Sequence, residues 1–276
     1  MKAMILAAGL GTRLRPLTDT RAKALVELSG RTLLEITLTR LRTFGITEVI
    51  VNVHHFADLV IDYLKSNNNF GMRIETSRED VLLDTGGGLK KAAWFFLEDP
   101  SHLDEPFLLH NVDVISDIDL SRMLQFHTEN HALATLAVQS RETSRYLLFD
   151  DHNQLRGRRM EAHSPLATRH SPLPEAEIPA SCHSERSEES ASSPSRAGGT
   201  GPLQALAFSG IHILSPRLLP MLTEQGIFSI IPSYLRLAAQ GEKILAFRAD
   251  DYYWRDLGRP ADLAQAAHDL QKKVLP

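Results

Sequence analysis

The sequence predicts an α/β fold, a mainly parallel mixed sheet with helices on both faces. Three observations carry that expectation. Short apolar runs such as Val49 to Val53 alternate along the chain with segments whose apolar residues recur at helical spacing. The apolar runs at Met4 to Leu6 and Phe107 to His110 each break off into small or polar residues, the arrangement of strands whose carboxyl ends face a ligand. The length, 276 residues with 43% hydrophobic and 23% charged, suits a globular chain with one large core or two small ones.

Met4, Ile5 and Leu6 end the first predicted strand, and LAAGLGTRLRPLT follows it as a small-residue loop with cations close behind. Ala7, Ala8, Gly9 and Gly11 let the backbone approach a ligand and turn successive N–H groups toward an anion, and Arg13, Arg15 and Lys23 supply positive charge. A dinucleotide loop needs a third glycine where Leu14 stands, and a P-loop needs Gly-Lys-Ser or Gly-Lys-Thr, which is missing, so neither fingerprint fits. A nicotinamide-dependent dehydrogenase is disfavoured on the same ground.

Next, Ala24 to Leu28 reads as a short extended piece ending at Ser29-Gly30. Leu34, Leu38, Leu41 and Phe44 mark a helix with Gly45 at its C-terminal cap. Val49 to Val53 is a strand, Ala57 to Lys65 a helix, and Met72 to Thr76 a third strand. The triplet Gly86-Gly87-Gly88 is expected to precede a helix over Leu89 to Leu97, its N–H groups open to a flat or anionic ligand. Phe107 to His110 is a strand running into Asn111-Val112-Asp113, Leu120 to Phe126 a helix, and Ala132 to Val138 a strand. Tyr146 to Phe149, the turn Asp151-His152-Asn153 and the return at Leu155 make a hairpin.

From about Gly157 to Pro202 the chain turns rich in Ser, Pro, Glu and Arg with no apolar periodicity, and is predicted to be a disordered insertion in one domain spanning residues 1–276. Cys182, the single cysteine, falls inside it, which excludes an internal disulfide and suits a reducing cytoplasm. Beyond it come a strand over Ala205 to Leu214 broken at Ser209-Gly210, a helix over Ile227 to Ala239, strands at Ile244 to Phe247 and Tyr252 to Trp254, and a helix from Pro260 to Leu270. A formal net charge of -4, with basic residues scattered, argues against nucleic acid as a partner. The apolar runs are too short to span a membrane. His54 and His55 follow a strand without a third metal ligand at suitable spacing, and read as satisfied histidines.

Five separated stretches together resemble the sugar 1-phosphate nucleotidylyltransferases, or nucleotide-sugar pyrophosphorylases. They are LAAGLGTRLRPLT with Lys23, the Gly86 to Gly88 triplet, the Asn111 and Asp113 pair, Phe208-Ser209-Gly210, and Trp254-Arg255-Asp256-Leu257-Gly258. The resemblance implies a Rossmann-like sheet of the nucleotide-diphospho-sugar transferase type without a C-terminal β-helix, most like the short bacterial N-acetylmuramate 1-phosphate uridylyltransferases or mannose 1-phosphate guanylyltransferases. It implies attack of a sugar 1-phosphate on the α-phosphorus of a nucleoside triphosphate, in nucleotide-sugar synthesis for the cell envelope or glycans. By the same match Arg13 and Lys23 are catalytic, and Asp113 and Asp256 hold Mg2+. Leu6, Ala7, Ala8, Gly9, Gly11, Thr12, Glu79, Gly86, Gly87 and Asn111 face the nucleotide, and Ser209, Gly210 and Arg145 the sugar. Two departures from the family pattern stand out: Ala22 and Ala24 flank Lys23 where proline is usual, and Val112 replaces a usual glycine. They motivate an alternative, a catalytically weakened nucleotide-binding or regulatory homologue.

Overall fold

The computed structural model describes residues 1–99, 104–161 and 201–271. The sequence alternates strand and helix as expected: β1 (Ala3–Leu6), a small hairpin of β2 (Glu27–Leu28) and β3 (Arg31–Thr32), α1 (Leu33–Thr43), β4 (Glu48–Val53), α2 (Ala57–Ser66), β5 (Arg73–Arg78) and α3 (Asp84–Leu97). Then follow β6 (Phe107–Asn111), β7 (Val114–Ser116), α4 (Leu120–Glu129), β8 (Ala134–Gln139), β9 (Arg145–Phe149) and β10 (Leu155–Met160). The last elements are β11 (Gln204–Leu214), α5 (Ile230–Ala239), β12 (Ile244–Arg248), β13 (Trp254–Asp256) and α6 (Pro260–Gln271). Local sequence explains several boundaries. Thr32 Oγ1 accepts the Glu35 N–H at 3.1 Å to open α1, and the Asp119 carboxylate accepts the N–H groups of Ser121 and Arg122 to open α4.

The main sheet runs β10-β9-β11-β6-β1-β4-β5, with β8 on the other side of β11 and β12 beyond it. Strands β5, β4, β1 and β6 are parallel, whereas β11 runs antiparallel to β6, β8 and β9. Side chains alternate between two cores with the period of a strand. Ala3 and Ile5, Val49 and Val51, and Leu108 pack under α1, α2, α4 and α6, while Met4, Ile50, Phe107 and Leu109 pack under α3 and α5. Phe96 stacks on Phe107 at 3.8 Å between centroids in the second core.

Several sequence boundaries shift, and Lys23–Leu25 forms a 3-10 turn within the piece expected to be extended; four of the shifts bear on the site or its packing. The α3 helix starts at Asp84 rather than after the glycine triplet, because the triplet packs against the 226–228 turn, and that packing outweighs the roughly 1 kcal/mol per residue by which glycine disfavours a helix. The α5 helix starts at Ile230, leaving Ile227 64% exposed. The third is β13, which lies two residues later than predicted and pairs with β7, a strand too short to show a period. Last, β10 continues to Met160, so order reaches past Gly157 into the segment predicted as an insertion; residues 162–200, with Cys182, lie outside the described residues. Among the described residues no helix is long and apolar enough to cross a membrane.

Three histidines are buried, each with one hydrogen-bond partner. His110 donates Nδ1–H to Asn111 O at 2.8 Å, His127 bonds Thr135 Oγ1 at 2.9 Å, and His212 bonds the Tyr234 hydroxyl at 2.8 Å. Burial, helped by the Arg40 charge, lowers His110 to about 4. Burial and the Arg217 charge lower His127 to about 4, and burial and His110 lower His212 to about 3. Unfolded imidazoles take up protons below pH ~6.5 while the folded ones do not, so the unfolded state binds more protons and stability falls with pH from about 6.5 toward 4. At pH 5 each histidine costs about 2 kcal/mol relative to pH 7. Urea denaturation at the two pH values measures the drop; equal midpoints would show that these rings titrate normally.

Candidate active site

The site lies beyond the carboxyl ends of the parallel strands, where the loops after β1, β4 and β6 meet. At the end of β4, Asn52 is a polar residue in an otherwise apolar strand. Its Oδ1 accepts the Ala7 N–H at 2.7 Å and its Nδ2 donates to Glu79 Oε1 at 2.7 Å. Glu79 Oε2 accepts the Leu83 N–H at 2.9 Å, and the Glu79 carbonyl accepts from His54 Nδ1 at 2.8 Å. Asn52 thus ties the loop after β1 to the loop before α3. Among the described residues the N–H groups of Ala8, Gly9, Leu10 and Gly11 make no hydrogen bond within the protein, so the backbone here offers a row of donors.

Two carboxylates stand at the end of the cleft. Asp113 follows β6 and is 8% exposed; Asp256 ends β13. The β7–β13 pair brings them together by setting Val114 opposite Asp256, and the Leu257 N–H donates to Asp113 O at 2.7 Å. Burial first, and the Asp113 charge second, push the Asp256 carboxyl above its ordinary value. Cations answer from the first loop: Lys23 Nζ forms an ion pair with Asp113 Oδ2, and Arg13 reaches Asp256 Oδ2 at 3.8 Å. The Gly258 N–H donates to Asp256 Oδ1 at 2.6 Å, an approach that a Cβ, 2.7 Å from that oxygen and against the Arg13 guanidinium, would block. Behind β7, Arg40 of α1 donates to the carbonyls of Ser116 and Ile118 and so fixes the segment that carries Asp113.

The cleft has two lobes. One, of about 380 Å³, is lined by Leu6, Ala8, Gly9, Lys23, Asn111 and Asp113 together with Asn52, Glu79 and Ile227. The other, of about 570 Å³, is lined by Ser209, Gly210, Arg145 and Asp256 together with Arg141, Tyr146, Arg158 and Trp254. Asp84, Thr85 and Asn111 border both lobes. Arg141 stacks on Trp254 at 3.7 Å and donates to Phe208 O at 2.7 Å, while the Trp254 indole N–H donates to Ser209 O at 2.7 Å.

Most residues singled out by sequence therefore converge, with four corrections. Gly86 and Gly87 line neither lobe: both donate their N–H groups to Phe228 O, at 2.9 and 3.2 Å, so their missing side chains serve packing rather than a ligand. Ala7 spends its N–H on Asn52. Glu79 borders the first lobe, but both carboxylate oxygens are bound within the protein. Gly11, Thr12 and Arg13 continue the loop beyond the lining of that lobe, and Arg15 pairs with Asp19 at 3.3 Å. The family departures are absorbed. Ala22 and Ala24 are buried in the core, and Val112 joins it with a negative φ. Sequence reading missed Asn52, Arg40 and Arg141; only Asn52, polar inside an apolar run, carried a local signal.

Donor chemistry at Asp113 and Asp256 suits a hard divalent cation, since the two carboxylates, one on each lobe, stand close enough that the charge on Asp113 raises the pKa of Asp256. The one acidic cluster of metal-ligating type among the described residues, Asp150-Asp151-His152, is different. There Asp150 accepts the N–H groups of His152 and Gln154 and the Arg156 guanidinium, which makes it the cap of the β9–β10 turn.

Solved structures share this architecture. A UDP-glucose pyrophosphorylase complexed with UDP-glucose aligns over 99% of this chain and 98% of its own at TM-score 0.69 and 16% identity. HddC from Yersinia pseudotuberculosis complexed with GMP-PN aligns over 98% and 99% at TM-score 0.68 and 20% identity. The fold is that of the nucleotide-diphospho-sugar transferases. The family model of the nucleotidyl transferases matches residues 2–154, more than half of the sequence, and the chain belongs to that family. Curated relatives include the N-acetylmuramate alpha-1-phosphate uridylyltransferase of Caulobacter vibrioides, 46% identical over 114 residues, 39% of this chain and 47% of the relative. The UTP–glucose-1-phosphate uridylyltransferase of Synechocystis sp. is 35% identical over 149 residues, 51% of this chain and 37% of the relative. The mannose-1-phosphate guanyltransferase of Yarrowia lipolytica is 36% identical over 148 residues, 53% and 40% of the two chains. The chain spans half or less of the length of each of these relatives.

The packing role of the triplet is testable by contrast. A Cβ on Gly86 would run into the Phe228 ring and lie 3.0 Å from its carbonyl, whereas a Cβ on Gly9 meets nothing within 4 Å. Gly86→Ala is expected to lower stability by about 1–3 kcal/mol through overpacking. Gly9→Ala should hold it within about 0.5 kcal/mol. Thermal melts of the two variants decide, and equal melting temperatures would remove the packing account.

Proposed function

We propose that this chain transfers a nucleotidyl group from a nucleoside triphosphate to a sugar 1-phosphate, releasing pyrophosphate, with Mg2+ held by Asp113 and Asp256. The observation that carries the reading is the meeting of two lobes at a pair of carboxylates answered by Lys23 and Arg13. The triphosphate occupies the smaller lobe and the sugar 1-phosphate the larger. One oxygen of the sugar phosphate forms a bond to the α-phosphorus as the bond from that phosphorus to the bridging β-oxygen breaks, and the electron pair leaves with pyrophosphate.

Both reactants are anions, so the protein's task is to neutralise charge and hold the attack in line. The free N–H groups of Ala8 to Gly11 and the Arg13 guanidinium receive the β- and γ-phosphates. Lys23, 14% exposed and paired with Asp113, stands at the wall of the smaller lobe where the α-phosphate arrives, and offsets the charge that builds on its oxygens. Asn111, common to both lobes, orients one reactant against the other. The metal, when bound, supplies Lewis-acid charge at the transferring phosphoryl group. Ile227 and Leu82 offer apolar walls to the base.

Asp113→Asn and Asp256→Asn are each expected to lower kcat at least about 100-fold, because either change removes a charged ligand and leaves Lys23 or Arg13 without its partner. Pyrophosphate release over a crossed panel of triphosphates and sugar 1-phosphates, with and without chelator, reads this and names the base. Full activity in both variants, or turnover indifferent to chelator, would rule out the metal assignment.

A further inference from the structure

We infer that Arg141 holds the phosphate of the sugar 1-phosphate at the reacting end of the larger lobe. The residue lies outside all five stretches that carry the family resemblance, which assigns the sugar side to Ser209, Gly210 and Arg145. The inference rests on the proposed nucleotidyl transfer and deepens it by naming the residue that anchors the attacking group. Three arginines line this lobe, and burial separates them. Arg145 and Arg158, on the β9–β10 hairpin, are exposed, so water screens their charge. Arg141, in the loop between β8 and β9, is partly buried, and burial lowers its pKa while the charge of Asp256 opposes that shift.

Arg141 is a cation without an answering carboxylate. Among the described residues its one hydrogen bond runs from Nη2 to Phe208 O at 2.7 Å, and it forms no ion pair. Asp256 acts on it only through space and is itself engaged by Arg13 and the Gly258 N–H. Arg40 gives the contrast. Both arginines leave a buried Nε without a partner, but Arg40 spends both of its Nη groups on the carbonyls of Ser116 and Ile118 and lines neither lobe. Arg40 is satisfied by the protein. Arg141 keeps its charge and its Nη1 donors for something that enters the lobe.

Its neighbours fix where those donors stand. The guanidinium stacks on Trp254 at 3.7 Å, two residues before Asp256 on β13. Its acceptor Phe208 precedes Ser209, whose carbonyl takes the Trp254 indole N–H at 2.7 Å. Arg141, Trp254 and the irregular part of β11 thus brace one another beside Asp256. Lys23 and Arg13 already answer the two carboxylates from the first loop, so the phosphate of the larger lobe needs a cation of its own. A guanidinium held flat by stacking keeps its planar donors in one orientation, which suits a phosphate. A phosphate monoester has three terminal oxygens, so it can bind along one guanidinium edge and still present an oxygen to the α-phosphorus. The guanidinium neither gives nor takes a proton in this step.

Steady-state kinetics and calorimetry on the full chain, with glucose, mannose and N-acetylmuramic acid 1-phosphates, test the assignment. For the sugar 1-phosphate turned over best, Arg141→Gln should raise KM about 30-fold or more while KM for the triphosphate moves less than about threefold, because one reactant alone loses its charge-assisted bonds. Arg141→Lys should keep part of the affinity, since it keeps the charge and loses the planar fork. A residue that only braced the fold would shift both KM values together. Such a joint shift, or a larger effect from Arg145→Gln than from Arg141→Gln, would overturn the inference, as would binding of none of the three sugar phosphates to the unaltered chain. Calorimetry separates the two levels. Binding that is lost in Arg141→Gln, in a chain that turns over none of the three, upholds the anchor and sinks nucleotidyl transfer. Turnover with an unchanged sugar-phosphate KM in that variant does the reverse.

Discussion

The rest of the site depends on a repulsion, two carboxylates held close in a partly buried cleft. Asp113 and Asp256 come from strands far apart in sequence, and the short β7–β13 pairing is what forces them together. Burial and mutual charge raise the Asp256 pKa, so the arrangement is unfavourable until positive charge arrives. Part of that charge is built in, as Lys23 on Asp113 and Arg13 on Asp256. Both cations come from the segment after β1, so the electrostatics that settle the carboxylates also draw the first loop over the cleft. Arg40, buried enough that its pKa falls to about 10, holds the far side of β7 through backbone carbonyls and keeps the carboxylates from separating.

A hydrogen-bonded network does the corresponding work on the other side. Asn52 is 3% exposed and Glu79 is 2% exposed, and between them they satisfy the Ala7 and Leu83 N–H groups. A buried network of this kind is rigid only when complete, because each orphaned donor or acceptor would cost about 1–3 kcal/mol. It fixes the start of the β1 loop and leaves the N–H groups after Ala7 uncommitted. Gly88 fits here as well, since a side chain on it would meet Glu79 Oε1 at 2.8 Å and Asn52 Nδ2 at 2.9 Å. The glycine-rich segment therefore supports the cleft from behind.

What the sequence made legible follows from which forces are local. The strands β1, β4 and β6 were readable because both faces are buried, and the helices α1 and α2 because one stripe is. Asp113 and Asp256 were readable as strand-end carboxylates once their motifs were matched. The helical state of the glycine triplet was misread because helix propensity is a local quantity, and the packing of Gly86 against Phe228, 142 residues on, is not. The bonding of Glu79 was hidden for the same reason, since nothing near it in sequence announces Asn52. The same holds for Arg141, whose partners Phe208 and Trp254 lie far along the chain.

The sheet itself separates the two halves of the chemistry. Strand β11 pairs with β6 over Ile211 to Leu214 and with β9 over Gln204 to Ala207, and its register against β8 shifts between Phe208 and His212. Ser209 and Gly210 lie in that irregularity and face the larger lobe. On one side of it stand the parallel strands and loops that line the smaller lobe, all of that lining except Ile227 within the residues 2–154 that the family model matches. On the other, β9, β10 and the first half of β11 form an antiparallel extension that contributes no residue to the lining of the smaller lobe. An antiparallel edge joined through a bulge can change its side chains without disturbing the parallel register that places Asp113. If the reaction is the proposed one, selectivity for the sugar can therefore be rewritten on β9 and β10 while the smaller lobe and the two carboxylates stay fixed.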